Sequence, residues 1–378
     1  MKMLVLGAGL QGCACAYDLL RNPDVSEVTL ADLYPDRLPR FLVDRGRLKP
    51  VKLDVSDGAA VRALMAGHTG VMSALPYYFN GAMAAAAVES GCHFADLGGN
   101  TEIVFEQKTL HGAARAKNLS VIPDCGLAPG MVNILAREGI RRVQQPNRVK
   151  IFVGGLPQRP EPPLNYQIVY SLEGALDYYT TPSWVLRDGK RVQVDALSEL
   201  EPVTFAEPVG TLEAFHTGGG ISTMPFAYEG KIDVMEYKTL RYPGHVAIMR
   251  PIRELGLLDN TAIEVKGQRV VPRDLFIAAV HPKLFKPEGQ DLVALKVEVT
   301  GTSDAKPARA AFELIDRYDV VHGISAMMRT TGYSLSITGQ MQADGRVTEK
   351  GVLTPDEAMP FRGYVDELAA RGIRIEES

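Results

Sequence analysis

Residues 2–12 read KMLVLGAGLQG, an apolar stretch that runs into three glycines spaced as G-x-G-x-x-G. The apolar part predicts a short β-strand, and the residues after the glycines predict a helix. Asp32 lies 20 positions after Gly12, at the end of the next apolar stretch, residues 28–31. The segment therefore predicts a strand, a tight turn and a helix, followed by a second strand that ends in a carboxylate.

Each part of this unit suits a dinucleotide. Gly7 permits the tight turn, Gly9 lets the backbone approach a diphosphate, and Gly12 lets helix and strand pack closely. The helix N-terminus offers free N–H groups to the diphosphate. Asp32 can bind the ribose hydroxyls and would repel a 2′-phosphate, which predicts NAD rather than NADP. Two readings stay open: a glycine turn that binds no nucleotide, and tolerance of NADP through Arg37 and Arg40.

Strands and helices alternate through the first third of the chain. Further strands are predicted at 51–53, 70–75, 92–97 and 119–123, with helices at 80–89 and 102–116. This alternation predicts a doubly wound parallel α/β sheet of Rossmann type, whose ligands bind at the carboxyl ends of the strands. The predicted cofactor-binding residues are Gly7, Gly9, Leu10, Gln11, Gly12, Asp32, Asp54, Val55, Ala74, Leu75, Pro76, Leu97 and Gly98.

From about residue 150 the pattern changes to half-exposed strands with fewer helices. Residues 149–153, 233–241 and 294–300 are strand-like, and 325–341 is predicted to be a helix. We expect residues 1–127 to form an NAD-binding domain completed by helices of 325–378. Residues 128–324 are expected to form an α+β domain for substrate binding and oligomerisation.

Composition excludes several classes of protein. The chain has 378 residues and a net charge of −4, which argues against a nucleic-acid partner. No apolar run approaches the length of a membrane span, so no membrane association is expected. The four cysteines form no CxxC pair, and no metal-binding spacing occurs. We expect a cytoplasmic protein with reduced cysteines and no bound metal.

Polar residues beside the glycine-rich turns of the second domain suggest a pocket for a zwitterion. Glu173, His216, Lys238 and Arg241 all occur in such places. A zwitterionic substrate needs a cation for its carboxylate, a carboxylate for its ammonium group and a titratable group near the reacting atom.

Several segments resemble the saccharopine dehydrogenase family over nearly the whole chain. They are Val5–Gly9, Ser73–Tyr77, Asp124–Met131, Gly154–Pro157, Thr331–Tyr333 and Lys350–Leu353. Within the family, four further segments resemble the L-lysine 6-dehydrogenases most. These are Arg159–Tyr166, Ser171–Gly174, Leu212–Thr217 and Glu236–Thr239.

The resemblance implies NAD-dependent oxidation of the lysine ε-carbon, which yields 2-aminoadipate 6-semialdehyde and ammonia. It also implies a homodimer or larger homo-oligomer. Two alternatives remain open. One is a reductase that forms a secondary amine with NAD(P)H, as in saccharopine or carboxynorspermidine synthesis. The other is a non-catalytic protein that binds NAD on the same scaffold.

Oxidation of an amine requires its deprotonation, because hydride loss beside a cationic nitrogen would create a dication. The lysine ε-ammonium has a pKa of about 10.4, so a base and an alkaline optimum are expected. The candidate catalytic residues are His216, Lys238, Asp96 and Tyr77. The candidate substrate-binding residues are Arg159 or Arg241 for the carboxylate, Glu173 for the α-ammonium, and Tyr166 and Gly126. Structural alternatives exist for these residues, namely a turn histidine, a solvated lysine and surface salt bridges.

Overall fold

A parallel sheet holds the glycine turn in the computed structural model, which describes residues 1–43 and 45–378. Its strands are β1 (Lys2–Leu6), β2 (Glu27–Asp32), β3 (Leu48–Lys52), β4 (Gly70–Ser73), β5 (His93–Asp96), β6 (Ser120–Ile122) and, from much later in the chain, β17 (Gly351–Val352). Their order is β17-β6-β5-β4-β1-β2-β3, and every pairing is parallel. The strand order reverses between β1 and β4, which places a ligand crevice beside the glycine turn.

Helices cover both faces of this sheet. They are α1 (Leu10–Arg21), α2 (Gly58–Met65), α3 (Asn80–Ser90), α4 (Thr101–Lys108), α5 (His111–Ala116), α11 (Ala326–Ala343), α12 (Pro355–Ala358) and α13 (Phe361–Ala370). The late helix α11 packs on α1 at a glycine: a Cβ on Gly332 would lie 2.7 Å from the Cβ of Ala14. Helix α11 therefore packs against the helix that follows the glycine turn.

The second domain is built on a large mixed sheet. Its strands are β7 (Gln145–Pro157), β8 (Ser183–Arg187), β9 (Lys190–Val194), β10 (Glu201–Thr204), β11 (Thr211–His216), β12 (Val234–Arg241), β15 (Asp291–Ser303), β16 (Lys306–Arg317) and β18 (Glu376–Glu377). The order is β10-β11-β12-β7-β15-β16-β18, and β8 pairs with both β12 and β9. Only β12 and β7 pair in parallel within this described sheet. The predicted domain boundary at residue 325 therefore does not separate the two sheets completely, because β18 pairs with β16 of the second sheet.

The remaining elements surround this sheet. They are the helices α6 (Met131–Arg142), α7 (Leu172–Thr180), α8 (Met224–Ala227), α9 (His245–Glu254) and α10 (Pro272–Leu284), and the hairpin of β13 (Ile263–Val265) and β14 (Gln268–Val270). No helix in the described parts of the chain has both the length and the apolar character needed to cross a membrane. The sheet, α7 and the loop after β11 face the carboxyl ends of the parallel strands, so the two domains enclose a cleft.

Candidate active site

The glycine turn has the geometry that its sequence predicts. Gly7 has a φ of +92°, which favours glycine. A Cβ on Gly12 would lie 1.8 Å from the carbonyl oxygen of Gly7, so only glycine fits there. A Cβ on Gly9 would meet nothing within 4 Å, so this residue faces open space above the turn. The turn thus leaves room for a ligand at the start of α1.

Asp32 is fixed beside this turn. Its Oδ2 accepts a hydrogen bond from the Ala8 N–H at 2.7 Å, and its Oδ1 accepts one from the Tyr34 N–H at 2.9 Å. Helix α1 starts without a side-chain cap, so its first N–H groups are open to a ligand. Both polar atoms of the Gln11 amide are buried without a hydrogen-bond partner. An uncapped helix, a free amide and a fixed carboxylate together fit a nicotinamide dinucleotide.

The other predicted cofactor residues lie at the neighbouring strand ends. The Ala74 carbonyl contacts the turn, 2.9 Å from where a Gly7 Cβ would be, and Leu75 and Pro76 follow it directly. Leu97 and Gly98 line the cavity described next. Asp54 is exposed and accepts a hydrogen bond from the Ser56 N–H, and Val55 is half-buried beside it. Contact of these residues with a cofactor stays a prediction.

A cavity of about 220 Å³, which we call the inner cavity, lies between the two domains. Its lining from the first domain and the segment that follows it includes Gln11, Leu97, Gly98, Gly126, Leu127, Ala128, Met327 and Thr331. Its lining from the second domain includes Val153, Gly155, Tyr170, Tyr178, Tyr179, Thr217, Gly218, Gly220, Tyr237, Thr239 and Arg241. The cavity therefore connects the start of α1 with the mixed sheet.

Arg241 is a buried cation with unused hydrogen-bond donors in this cavity. It is 3% exposed, and its Nε donates to the Tyr179 hydroxyl at 3.1 Å. Its Nη1 donates to the carbonyl oxygens of Gly155 (3.3 Å) and Leu240 (3.0 Å). Within residues 1–43 and 45–378, Nη2 has no acceptor and no carboxylate pairs with the guanidinium. A buried arginine without a counter-ion is suited to bind a substrate carboxylate.

A hydroxyl and an imidazole hold Arg241 in place. The His245 Nδ1 lies 3.1 Å from the Leu164 carbonyl oxygen, which can only accept, so Nδ1 carries the proton. The Tyr179 hydroxyl, 3.0 Å from the His245 Nε2, therefore donates to that nitrogen and accepts from Arg241. Burial and then the Arg241 charge lower the pKa of His245 to about 3, so the imidazole is neutral.

The described lining of the inner cavity includes neither a carboxylate nor an imidazole. Its titratable groups besides Arg241 are tyrosines, and burial raises the pKa of Tyr170, Tyr178 and Tyr237. Protonated phenols of raised pKa are poor bases. An amine substrate must therefore enter this cavity already neutral, or lose its proton to a group outside the lining.

Asp124 is the carboxylate directly behind this lining, and the sequence reasoning missed it as a site residue. A Cβ on Gly98 would lie 1.8 Å from its Oδ1. Neither oxygen makes a hydrogen bond of normal geometry, and burial raises the pKa of Asp124 to about 7 although Ser222 favours the charged form. The available sequence signal was its position just after β6, at the carboxyl end of a parallel strand; in the structure its φ is +62°.

His216 and Lys238 lie on the wrong side of the sheet for the predicted role. They are register partners on β11 and β12, so their side chains share one face. Lys238 donates to Glu201 Oε1 at 2.6 Å, and the His216 Nε2 lies 3.0 Å from Glu199 Oε2. Arg241 lies three residues after Lys238 and so faces the opposite side, towards the cavity. The structure thus corrects the expectation that His216 and Lys238 reach the substrate.

These two residues belong to an ion-pair network. Arg187 and Lys150 contact Glu236 at 2.6 and 3.2 Å. Burial lowers the pKa of His216, so it is neutral at pH 7. The ligand atoms of Glu199, His216 and Glu236 lie within 4.8 Å of one another, as in a metal site. Since cations already pair with both carboxylates, the arrangement neutralises itself without a metal.

Asp96 and Tyr77 are also displaced from their predicted roles. The Asp96 carboxylate is fully buried and accepts hydrogen bonds from Gln107 Nε2 (2.6 Å), the Gly98 N–H (2.7 Å) and the Asp124 N–H (3.2 Å). These donors occupy it, so it orders the loop after β5 instead of acting as a base. Tyr77 is 37% exposed beside Gly99 and does not line the inner cavity.

The substrate-binding candidates divide into two groups. Gly126 and Arg241 line the inner cavity, and the Tyr166 ring lies 4.8 Å from the Arg241 guanidinium carbon. Glu173 is exposed in the first turn of α7, and Arg159 is exposed beside a separate cavity of about 510 Å³. The structure therefore does not bring Glu173 or Arg159 to the substrate pocket.

Comparison with protein families covers nearly the whole chain. Residues 3–122 match the saccharopine dehydrogenase NADP binding domain, and residues 126–373 match the saccharopine dehydrogenase C-terminal domain. The chain belongs to the saccharopine dehydrogenase family. The family resemblance stated from the sequence is thereby confirmed. Membership also makes the chain an oxidoreductase of the saccharopine dehydrogenase type, with a nicotinamide-cofactor domain.

Proteins of similar sequence include a saccharopine dehydrogenase and a longer semialdehyde synthase. The saccharopine dehydrogenase [NADP(+), L-glutamate-forming] of Schizosaccharomyces pombe is 23% identical over 451 positions, which cover 100% of this chain and 98% of that protein. The mitochondrial alpha-aminoadipic semialdehyde synthase of Bos taurus is 24% identical over 98% of this chain, which spans 47% of its length.

A solved structure confirms the fold class. The apo saccharopine dehydrogenase (L-Glu forming) of Saccharomyces cerevisiae superposes with a TM-score of 0.82 at 20% identity, and the match covers 100% of this chain and 99% of that one. A Rossmann-type parallel sheet with a second mixed-sheet domain is thus the shared architecture.

Proposed function

We propose that this member of the family is an NAD-dependent L-lysine 6-dehydrogenase, which oxidises the ε-amine of free lysine to 2-aminoadipate 6-semialdehyde and ammonia. The observation that carries the proposal is Arg241, the one cation among the described lining residues of a small cavity that also contains Gln11 and Gly98. An amino acid anchored by its carboxylate at Arg241 would extend its side chain towards the start of α1.

The walls of the inner cavity suit the rest of such a substrate. Tyr237, Met327 and Val153 offer apolar surface to a chain of methylenes, and Thr217 and Thr239 offer hydroxyls to the α-amino group. The ε-carbon would then lie by Gly98, at the carboxyl end of the parallel strands. A bound nicotinamide dinucleotide supplies the hydride acceptor at this end.

The protein's part in the chemistry is to favour a neutral amine. The apolar walls disfavour a charged ammonium group, so they lower the pKa of the bound ε-amine. Hydride then leaves the ε-carbon while the nitrogen lone pair forms a C=N bond. Water adds to that carbon, the C–N bond breaks, and ammonia leaves.

Asp32 supports NAD as the cofactor. Its carboxylate is fixed by two backbone N–H groups beside the glycine turn, where it would bind the adenosine ribose and repel a 2′-phosphate. The matching family domain and the S. pombe relative are both described by NADP. The preference for NAD is therefore part of our proposal.

Saccharopine dehydrogenase activity is the second candidate, and the names of the relatives favour it over the first. Saccharopine carries additional carboxylates on its glutamate half, and each would need a cation. The lining of the inner cavity includes only one arginine and no lysine among the described residues. The S. pombe alignment also has 451 positions against 378 residues here, so at least 73 positions of that alignment have no counterpart in this chain.

One assay separates the two candidates. Purified protein is incubated with lysine or saccharopine, each with NAD or NADP, and reduced nicotinamide is followed by absorbance. We expect turnover with lysine and NAD and without any added keto acid. Turnover restricted to saccharopine would reject the lysine proposal and establish the alternative. Homo-oligomer formation stays a prediction, which light scattering on the same sample tests.

A further inference from the structure

A second cavity adjoins the inner one. This outer cavity has a volume of about 170 Å³ and lies on the other side of a glycine-rich wall. Gly220 lines both cavities, Gly98 lines the inner one and Gly99 the outer one. Likewise, Gly218 lines the inner cavity and Gly219 the outer one. The two cavities are therefore separated by little more than the backbone of these glycines.

The side chain of Tyr178 fills the gap in this wall. A Cβ on Gly219 would lie 2.9 Å from its ring carbon Cε1, and a Cβ on Gly99 would lie 3.1 Å from its hydroxyl oxygen. Gly99 belongs to the first domain and Gly219 to the second, so the ring spans the cleft. The Gly218 N–H donates to the Tyr178 carbonyl oxygen at 3.1 Å, which fixes α7 to the same loop.

The wall lies where the reacting amine is expected. With a substrate carboxylate at Arg241, the proposed place of the ε-amine is near Gly98; Tyr178 lines the same cavity and contacts Gly99, the next residue of that loop. A substituent on that nitrogen would have to occupy the space of the ring. An unsubstituted amine would not.

We propose that Tyr178 determines specificity for a primary amine by closing the inner cavity towards the outer one. This inference rests on the proposed function, since it takes lysine as the substrate. Without the ring, the two cavities join and the site accepts N6-alkylated lysines. Oxidation then follows the same steps as for lysine: hydride leaves the ε-carbon, water adds to that carbon, the C–N bond breaks, and the alkylamine leaves in place of ammonia.

The outer cavity sets the kind of substituent. Asn100, Thr101 and Ser183 give it neutral polar groups, and Glu102 is its carboxylate. The part of the lining that the structure describes contains no lysine or arginine. A neutral alkyl group fits this surface, whereas the glutamate half of saccharopine would bring carboxylates beside Glu102. Opening the wall is therefore expected to admit N6-propyl-lysine and not saccharopine.

The test measures kcat/KM for lysine and for N6-propyl-lysine with NAD. In Tyr178→Ala and in the bulkier Tyr178→Leu, the ratio of N6-propyl-lysine to lysine rises at least about tenfold over wild type. Tyr178→Phe keeps the ring and so keeps the wild-type ratio. Tyr170→Ala is the matched control: both tyrosines line the inner cavity, but Tyr178 also contacts Gly99 and Gly219 of the outer lining, so removal of Tyr170 is expected to add volume without joining the two cavities.

An unchanged ratio in both Tyr178→Ala and Tyr178→Leu, with cooperative unfolding near the wild-type temperature, overturns the proposal. An equal rise in Tyr170→Ala also overturns it, because volume alone would then explain the effect. A second measurement needs no turnover: calorimetric titration of lysine and of N6-propyl-lysine into the wild-type protein with NADH present. Equal binding affinities for the two amines refute the closed wall. Absence of lysine oxidation with NAD refutes the proposed function, while the calorimetry still tests the wall.

Discussion

Replacement of Arg241 by methionine separates a functional role from a structural one. The guanidinium is 3% exposed and its described partners are a phenol and two carbonyl groups, so the protein bears the desolvation cost of a charge without a counter-ion. Methionine fills a similar volume without that cost. We expect the free energy of unfolding of the ligand-free protein to rise by about 1–2 kcal/mol.

The same change removes the proposed carboxylate anchor. Loss of a buried charge-assisted pair costs about 3 kcal/mol, which is roughly a hundredfold in kcat/KM for lysine. Urea unfolding and steady-state kinetics measure the two effects on one preparation. Arg241→Lys is the control, because it keeps the charge but not the planar fork, so a smaller loss of kcat/KM and no gain in stability are expected. A variant that is several kcal/mol less stable yet keeps the wild-type kcat/KM would refute the reasoning.

Three further predictions follow from the site. Asp32→Ala is expected to weaken NAD binding and to narrow the difference between NAD and NADP, and calorimetric titration that finds both affinities unchanged would contradict its role. The kcat/KM for lysine is expected to rise up to about tenfold per pH unit between pH 7 and 9, because the cavity takes the neutral amine, and a flat profile would argue for a base. Burial raises the pKa of Asp124 from 3.8 to about 7, so charging it costs the folded state stability as the pH rises between these values. Asp124→Asn, which tolerates the same positive φ, is therefore expected to be more stable than wild type by at most about 4 kcal/mol at pH 8 and equally stable near pH 4. Chemical unfolding at both pH values measures this, and a constant difference would count against a raised pKa.

Local signals explain what the sequence predicted well. The spacing of Gly7, Gly9, Gly12 and Asp32 specifies a turn whose contacts lie within about thirty residues, so the first domain follows from it. The long strands of the second sheet were less visible. Residues 149–153 and 294–300 were predicted, whereas the strands run over Gln145–Pro157 and Asp291–Ser303. The missed ends 154–157 and 291–293 are buried on both faces, so they lack the alternation that marks a half-exposed strand.

The site was harder to predict because it depends on which face of β12 meets the cleft. Lys238 and Arg241 are three residues apart, so a strand cannot aim both at one pocket. The two-residue repeat of a strand reveals that conflict. It does not say which residue faces inward, because both faces of the strand carry polar groups. Asp124 and Tyr178 act through contacts with glycines distant in sequence, and a single sequence holds no signal for such contacts.

The pairing of β18 with β16 has a mechanical consequence. After α13 on the first domain, the chain returns to the second sheet, where Glu377 also contacts Arg142 and Arg362 at 2.6 and 2.9 Å. This return is a tether between the two domains. Rotation that moved the domains apart at this point would have to strain the tether, so substrate exchange is expected to rely on movement of loops at the rim of the cleft and not on a wide swing of whole domains.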